Sequence, residues 1–202
     1  TQEPSKYKSL NISFQDPMIN DSPYLVGASI FYSFRGSSTN YYFPLDFTVG
    51  GAVASFGRRL EWPDDFFRVM WSAKFMQKEY EGSQADIDNY IGGLQKTRGI
   101  SLSQVLSRDS RNRAEFPTNG STFILENTYS GGFLGGNENF QKHMLTLEWF
   151  TQTFSKFILY SSAKLGVIKT IDVGDDVQTF VPFDERFIMG GNGIPYGNAL
   201  RG

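Results

Sequence analysis

Apolar and polar residues alternate with a period of two along most of this chain. The alternating segments are about as long as a membrane-crossing strand, roughly 9–11 residues. In the first, Leu10, Ile12 and Phe14 share one side and Ser9, Asn11, Ser13 and Gln15 the other. The same rhythm sets Val26, Ala28, Ile30 and Tyr32 against Gly27, Ser29, Ser33 and Arg35. It then sets Leu45, Phe47, Val49 and Val53 against Asp46, Thr48, Gly50 and Ala52, and Phe67, Val69, Trp71, Ala73 and Phe75 against Arg68, Ser72 and Lys74. Ile100, Leu102 and Leu106 oppose Ser101, Ser103 and Ser107, while Phe123, Leu125 and Tyr129 oppose Thr122, Glu126 and Thr128. Leu145, Leu147 and Trp149 oppose Lys142, Thr146 and Glu148. Phe157, Leu159, Ala163, Leu165 and Val167 oppose Ser162, Lys164 and Gly166. This predicts eight strands, at about 7–15, 24–35, 43–57, 66–80, 98–108, 120–131, 139–152 and 156–168. Turn residues separate them, so consecutive strands pair antiparallel. Residues 81–97 read as a polar loop, no segment carries a helical stripe, and 169–202 has no sustained alternation.

Two solvents fit this pattern. In a soluble sandwich one face of each sheet meets water. In a transmembrane barrel the apolar face meets lipid and the polar face lines a hydrated lumen. Large residues on the apolar faces, charges of both signs on the polar faces and strands beyond the usual five or six residues favour the barrel. A sandwich remains the rival, and it requires Trp71, Trp149 and Phe157 to be buried in protein.

Composition sharpens this only in part. Aromatics make up 16% of the residues, which favours strands. A mean hydropathy of −0.33 suggests a water-soluble chain, but a barrel that shows lipid every second residue has the same average. The formal charge of −2 gives no footprint for nucleic acid. With no cysteine there is no disulfide or thiolate metal site, and His143 alone leaves little scope for histidine chemistry. No run of eighteen apolar residues exists, and the first ten residues lack the apolar core of a signal peptide.

Several residues invite a chemical reading. Asp64 and Asp65 are paired carboxylates, but a hydrated turn lacks the pocket that acid–base work needs. Asp175 and Asp176 lack calcium-loop spacing. His143 is expected at a membrane interface rather than on a metal. Glu126, Glu148 and Lys164, on adjacent strands, could form an ion-pair network, a structural arrangement rather than a catalytic one. The glycine-rich stretch from Phe183 ends on Arg201 and Gly202. Its spacing fits no phosphate loop, which leaves a solvated tail or an arginine delivered to a fixed place. No catalytic set and no cofactor site emerge, so the chain is not expected to be an enzyme.

The turns carry a resemblance. Arg108-Asp109 followed by Phe116-Pro117-Thr118-x-Gly120 is similar to a turn of the BamA superfamily of outer-membrane proteins. Glu185-Arg186-Phe187-x-x-Gly190-Gly191, closing on Leu200-Arg201-Gly202, resembles that family's long sixth extracellular loop. Trp62-Pro63-Asp64-Asp65 resembles another family turn, and Pro17 keeps part of a third, with Met18 and Ile19 in place of aromatics. These elements occur in family order along the whole chain.

The resemblance implies an all-β, antiparallel up-and-down transmembrane barrel of about 16 strands. This chain would supply roughly strands four to eleven and most of loop six, over about 169–202. The periplasmic POTRA domains and terminal strands would lie elsewhere, because a sheet of eight strands leaves two unpaired edges. The resemblance further implies residence in the outer membrane of a Gram-negative-type bacterium. The activity would be energy-independent folding and insertion of outer-membrane proteins, or polypeptide secretion in the other branch of the superfamily. The implied partners are outer-membrane lipid, nascent outer-membrane proteins and accessory lipoproteins. Pro63, Asp64, Arg108, Asp109, Phe116, Pro117, Thr118 and Gly120 would form periplasmic turns. Arg68, Lys74, Glu126, Glu148 and Lys164 would line the lumen. Arg201 would anchor loop six there against carboxylates of the barrel wall.

Overall fold

The computed structural model describes residues 7–36, 44–174, 181–182, 185–189 and 200–201, with the backbone alone at Tyr90, Ile188, Met189, Leu200 and Arg201. Eight long strands form one meander: β1 (Tyr7–Asp16), β2 (Tyr24–Arg35), β3 (Asp46–Arg59), β4 (Phe67–Glu81), β5 (Lys96–Asp109), β6 (Gly120–Ser130), β7 (Phe140–Phe154) and β8 (Phe157–Thr170). Each pairs antiparallel with its sequence neighbours, in the order β1 to β8. A helix, α1 (Gln84–Ile91), lies between β4 and β5. Two short strands, β9 (Ile188–Met189) and β10 (Leu200–Arg201), pair with each other.

The register divides the side chains into two faces, because directly paired residues of an antiparallel ladder point the same way. One face is a mainly apolar belt, crossed by rows such as Ile12–Ile30–Ala52–Phe75–Ile100 and Val69–Leu106–Leu125–Leu145–Leu165. Most of its large residues are uncovered, Ile30 being 67% exposed and Trp71 43%, while Val69 at its edge is buried. A sandwich would cover it with a second sheet, and among the described residues nothing does. Trp149 and Phe157 are exposed as well, so the sandwich is set aside. No described helix is long and apolar enough to cross a membrane.

Two expectations change. The faces of β3 are exchanged: Phe47, Val49 and Val53 share the face of Tyr80, Lys78 and Lys74, while Gly50, Ala52, Ala54 and Phe56 join the apolar belt and Asp46 lies on that side. Both parities of β3 are apolar or small, so its own pattern is ambiguous. Its neighbours fix the register, and a one-residue choice turns every side chain over. The second change is α1, inside the expected loop 81–97. Ser83 caps it through its hydroxyl, which accepts from Asp86 N at 3.2 Å, and Gly92 ends it in the left-handed conformation, φ 67°. Ile87 and Ile91, one turn apart, are buried with Leu45 and Tyr80 and pack beside Phe47. This small cluster is the main apolar core among the described residues.

Candidate functional site

The second face of the sheet is charged. Arg68 and Lys74 on β4, Glu126 on β6, Glu148 on β7 and Lys164 on β8 all lie on it by register. The ion-pair network among Glu126, Glu148 and Lys164 does not form. Lys164 pairs with Thr146 and Glu148 with Ser162, so the two charges are diagonal neighbours, and Glu148 Oε1 instead accepts from the Tyr160 hydroxyl at 2.9 Å.

The most deeply buried ion pair among the described residues is one that the sequence reading did not single out. Lys78 Nζ lies 3.0 Å from Glu138 Oε1, with side-chain exposures of 1% and 3%. Glu138 belongs to the connection between β6 and β7, which folds back over β5. Asn137 N donates to Arg98 O (2.9 Å) and Arg98 N donates to Asn137 Oδ1 (2.6 Å), while Gly136 bridges Gly99. Gly99 is required here, because a Cβ on it would lie 2.7 Å from Glu138 Oε2. Thr97 Oγ1 donates a further bond to Glu138 Oε1 (2.8 Å). A buried carboxylate is tolerated when it is paired and hydrogen-bonded in this way.

The same face receives the opening element of the proposed loop six. Lys142, on β7, donates to Glu185 twice, to its carbonyl at 2.9 Å and to Oε2 at 3.0 Å. Phe187 lies against Gly166 of β8, where a Cβ would stand 2.5 Å from its ring, and the Lys142 ammonium sits 5.3 Å from the ring centroid. Glu185 and Phe187 are therefore held on adjacent strands by a charge-assisted hydrogen bond and by a glycine that leaves room for the ring. Arg186 points elsewhere, donating from Nε to Val181 O at 3.2 Å. At the loop's far end the backbone of Leu200 and Arg201 pairs with Met189 and Ile188. Gly190, Gly191, Gly202, Asp175, Asp176 and the Arg201 side chain lie outside the described residues, and with them the expected position of the guanidinium.

The turn motifs gather at one end of the sheet. Arg108 links two of them: its Nε and Nη2 each lie 2.8 Å from Asp64 Oδ2, and Nη1 donates to Ser110 Oγ at 3.0 Å. Its guanidinium also lies over the rings of Phe66 and Phe67. Asp109 takes a two-pronged contact from Arg111 (2.8 and 2.7 Å), and these hydrogen bonds raise the Arg111 pKa above its usual value. Asn112 Oδ1 accepts from the backbone of Thr118 and Asn119, closing the loop in which Phe116 has φ 51° and is 85% exposed. Pro117 follows Phe116 in that loop, and Gly120, at φ 106°, starts β6. Pro63 lies in the β3–β4 turn, ahead of Asp64.

On the apolar belt the structure places a short polar ladder. Asn127 Nδ2 donates to Gln104 Oε1 (3.2 Å), and His143 Nδ1 donates to Asn127 Oδ1 (2.8 Å). His143 shares the face of Leu145 and Leu147 by register, with Asn127 as its partner. No described group of three or more His, Asp or Glu is arranged to hold a metal ion.

Comparisons with known proteins agree with this architecture. Residues 2–202 match the Omp85 superfamily domain. The outer membrane protein assembly factor BamA of Nitratidesulfovibrio vulgaris is 28% identical over 195 residues, covering 92% of this chain and 22% of that protein. The structure of BamA from Haemophilus ducreyi lacking POTRA domains 1–3 superimposes with a TM-score of 0.73 at 16% identity, covering 93% of this chain and 37% of that one. The chain thus spans about a fifth of the relative's length and just over a third of the solved chain. On this fold the bare belt faces lipid and the charged face lines the lumen. The chain belongs to the Omp85 superfamily, as part of an integral outer-membrane β-barrel.

Proposed function

We propose that this chain is the central wall of an outer-membrane assembly factor, which folds and inserts other β-barrel proteins without nucleotide and carries loop six inside its lumen. The observation that carries this reading is the seating of Glu185 and Phe187 on Lys142 and Gly166. A lumenal face bound by the barrel's own loop supports a wall that carries loop six inside its lumen, an element that both branches of the superfamily share. Client strands would then be templated by edge pairing at strands outside this chain. The partners of this reading are outer-membrane lipid, nascent outer-membrane proteins and accessory lipoproteins. Such barrels carry their shorter turns at the periplasmic rim; the short turns 17–23, 60–66 and 155–156 support that rim at their end of the sheet, where 110–119 also lies. Arg201 completes the picture as a lumenal anchor further along the loop.

The second reading is a polypeptide-secretion pore of the same superfamily, and the Trp62-Pro63-Asp64-Asp65 turn favours assembly over it. The test uses the full-length protein in liposomes without nucleotide, with insertion of an unfolded client barrel read by protease protection. The assembly reading expects protected client, and less of it with Lys142→Glu, recovered in the Lys142→Glu/Glu185→Lys double variant. Translocation of an unfolded polypeptide into the vesicles, with no inserted client, overturns assembly in favour of secretion.

A further inference from the structure

At the periplasmic end of the lumenal face, two arginines stand directly opposite each other. Arg59 closes β3, Arg68 is the second residue of β4, and the register pairs them. Like charges directly opposite on neighbouring strands repel and destabilise the pair. No carboxylate forms an ion pair with either arginine among the described residues, although Asp65 and Asp109 stand beside them. Arg59 Nε donates to the backbone carbonyl of Asp65 at 2.6 Å, which leaves its terminal nitrogens unused. Arg68 makes no hydrogen bond or ion pair there, and its charge reaches Asp109 only from beyond ion-pair distance. Asp109 is already occupied by Arg111.

The next two strands extend the arrangement. Ser107 of β5 is directly opposite Arg68, and Thr122 of β6 is directly opposite Asp109. Thr122 is 8% exposed, and its hydroxyl has no hydrogen-bond partner. A buried polar atom without a partner is costly. Four arginines (Arg59, Arg68, Arg108 and Arg111), two carboxylates (Asp65 and Asp109) and the hydroxyl residues Ser107 and Thr122 line a single cleft of about 410 Å³, so cations outnumber anions there by two. Two guanidinium groups with spare donors and two hydroxyls on one wall form a receptor for an oxyanion.

We propose that this cleft is an anion-recognition site at the periplasmic mouth of the lumen, and that it takes a carboxylate side chain of an acidic polypeptide segment. The barrel wall separates the cleft from lipid, which excludes a lipid headgroup. The choice of a polypeptide over a free anion rests on the assembly reading, in which unfolded chains approach this rim. A bound carboxylate would bridge Arg59 and Arg68, turn their repulsion into attraction and offer Thr122 an acceptor.

The experiment uses full-length protein in lipid nanodiscs, with labelled tetraglutamate as probe, tetraglutamine as control and inorganic phosphate as competitor. Tetraglutamate is expected to bind and raise Tm, more weakly as salt rises. R59Q/R68Q should lose about tenfold or more in affinity. Ligand-free R68Q should keep or gain Tm, because a repulsion is removed. Equal binding of tetraglutamine, or binding that survives R59Q/R68Q, overturns the site. Competition by phosphate at equal concentration overturns the polypeptide assignment. A lower ligand-free Tm in R68Q means that its partner lies within the protein, which also overturns the proposal. Client insertion is scored separately. Peptide binding by a protein that inserts no client sinks the assembly reading and leaves the site, while insertion without peptide binding sinks the site alone.

Discussion

The two faces of this sheet share every backbone atom and differ in what completes them. The outer belt is finished by lipid: its side chains meet little protein, and large residues such as Ile30, Trp71 and Leu165 stay exposed on the chain itself. The inner face is finished by the protein's own connections. Glu138 folds back onto Lys78, and Glu185 and Phe187 fold back onto Lys142 and Gly166. Outer positions therefore depend on chemical class, because any apolar shape satisfies lipid. Inner positions depend on individual partners.

Substitutions can break this contrast at measured cost. The largest effect is expected inside. Lys78→Ala leaves Glu138 buried without its cation and should lose about 3–5 kcal/mol, read from urea unfolding of the full-length protein in liposomes. A double change to Lys78→Met and Glu138→Leu should recover most of that loss. Next comes the outer belt: Leu125→Arg places a charge among Leu106 and Leu145 and should cost about 2–4 kcal/mol near the bilayer midplane. Ser103→Arg, on the inner face of the adjoining strand, should cost much less in the same assay. A smaller effect is expected where the loop docks. Lys142→Ala removes hydrogen bonds to a charged group, worth about 1.5–3 kcal/mol when fully formed and less at this partly exposed pair. Its readout is faster tryptic cleavage after Arg186, and Gly166→Val should give the same phenotype. The smallest belongs to the rim, where Asp64→Asn breaks a half-exposed pair with Arg108 and should cost about 0.2–1 kcal/mol, with most of the effect gone at high salt.

The sequence made the contrast readable to different depths on the two sides. Eight strands were legible because each face meets one solvent along its whole length, and alternation records that directly. The exception is β3. Its small Gly50, Ala52 and Ala54 lie outside and its Val49 and Val53 inside, so local composition points the wrong way and only the neighbouring strands decide. The helix α1 was hidden because Ile87 and Ile91 alone mark its buried face, although Ser83, Asp86 and Gly92 were the capping signals to seek. Gln104, Asn127 and His143 lie far apart along the chain on three strands, and only the register makes them neighbours. At the candidate site, Glu185 and Phe187 were legible through resemblance to a family loop. Their receptors were not. Lys142 was visible as an inward charge and Gly166 as an inward gap, but which loop residue meets which wall residue is set by how the chain returns.

Gly166 has one further consequence. Its inward neighbours on β8, Lys164 and Ile168, both carry side chains on the same face, so the flat space beneath Phe187 is one residue wide. The aromatic ring fits that space as a key fits a single notch. Two residues further along β8 in either direction, the ring would meet the side chain of Lys164 or Ile168. The missing side chain at Gly166 thus marks the place on the wall where Phe187 sits.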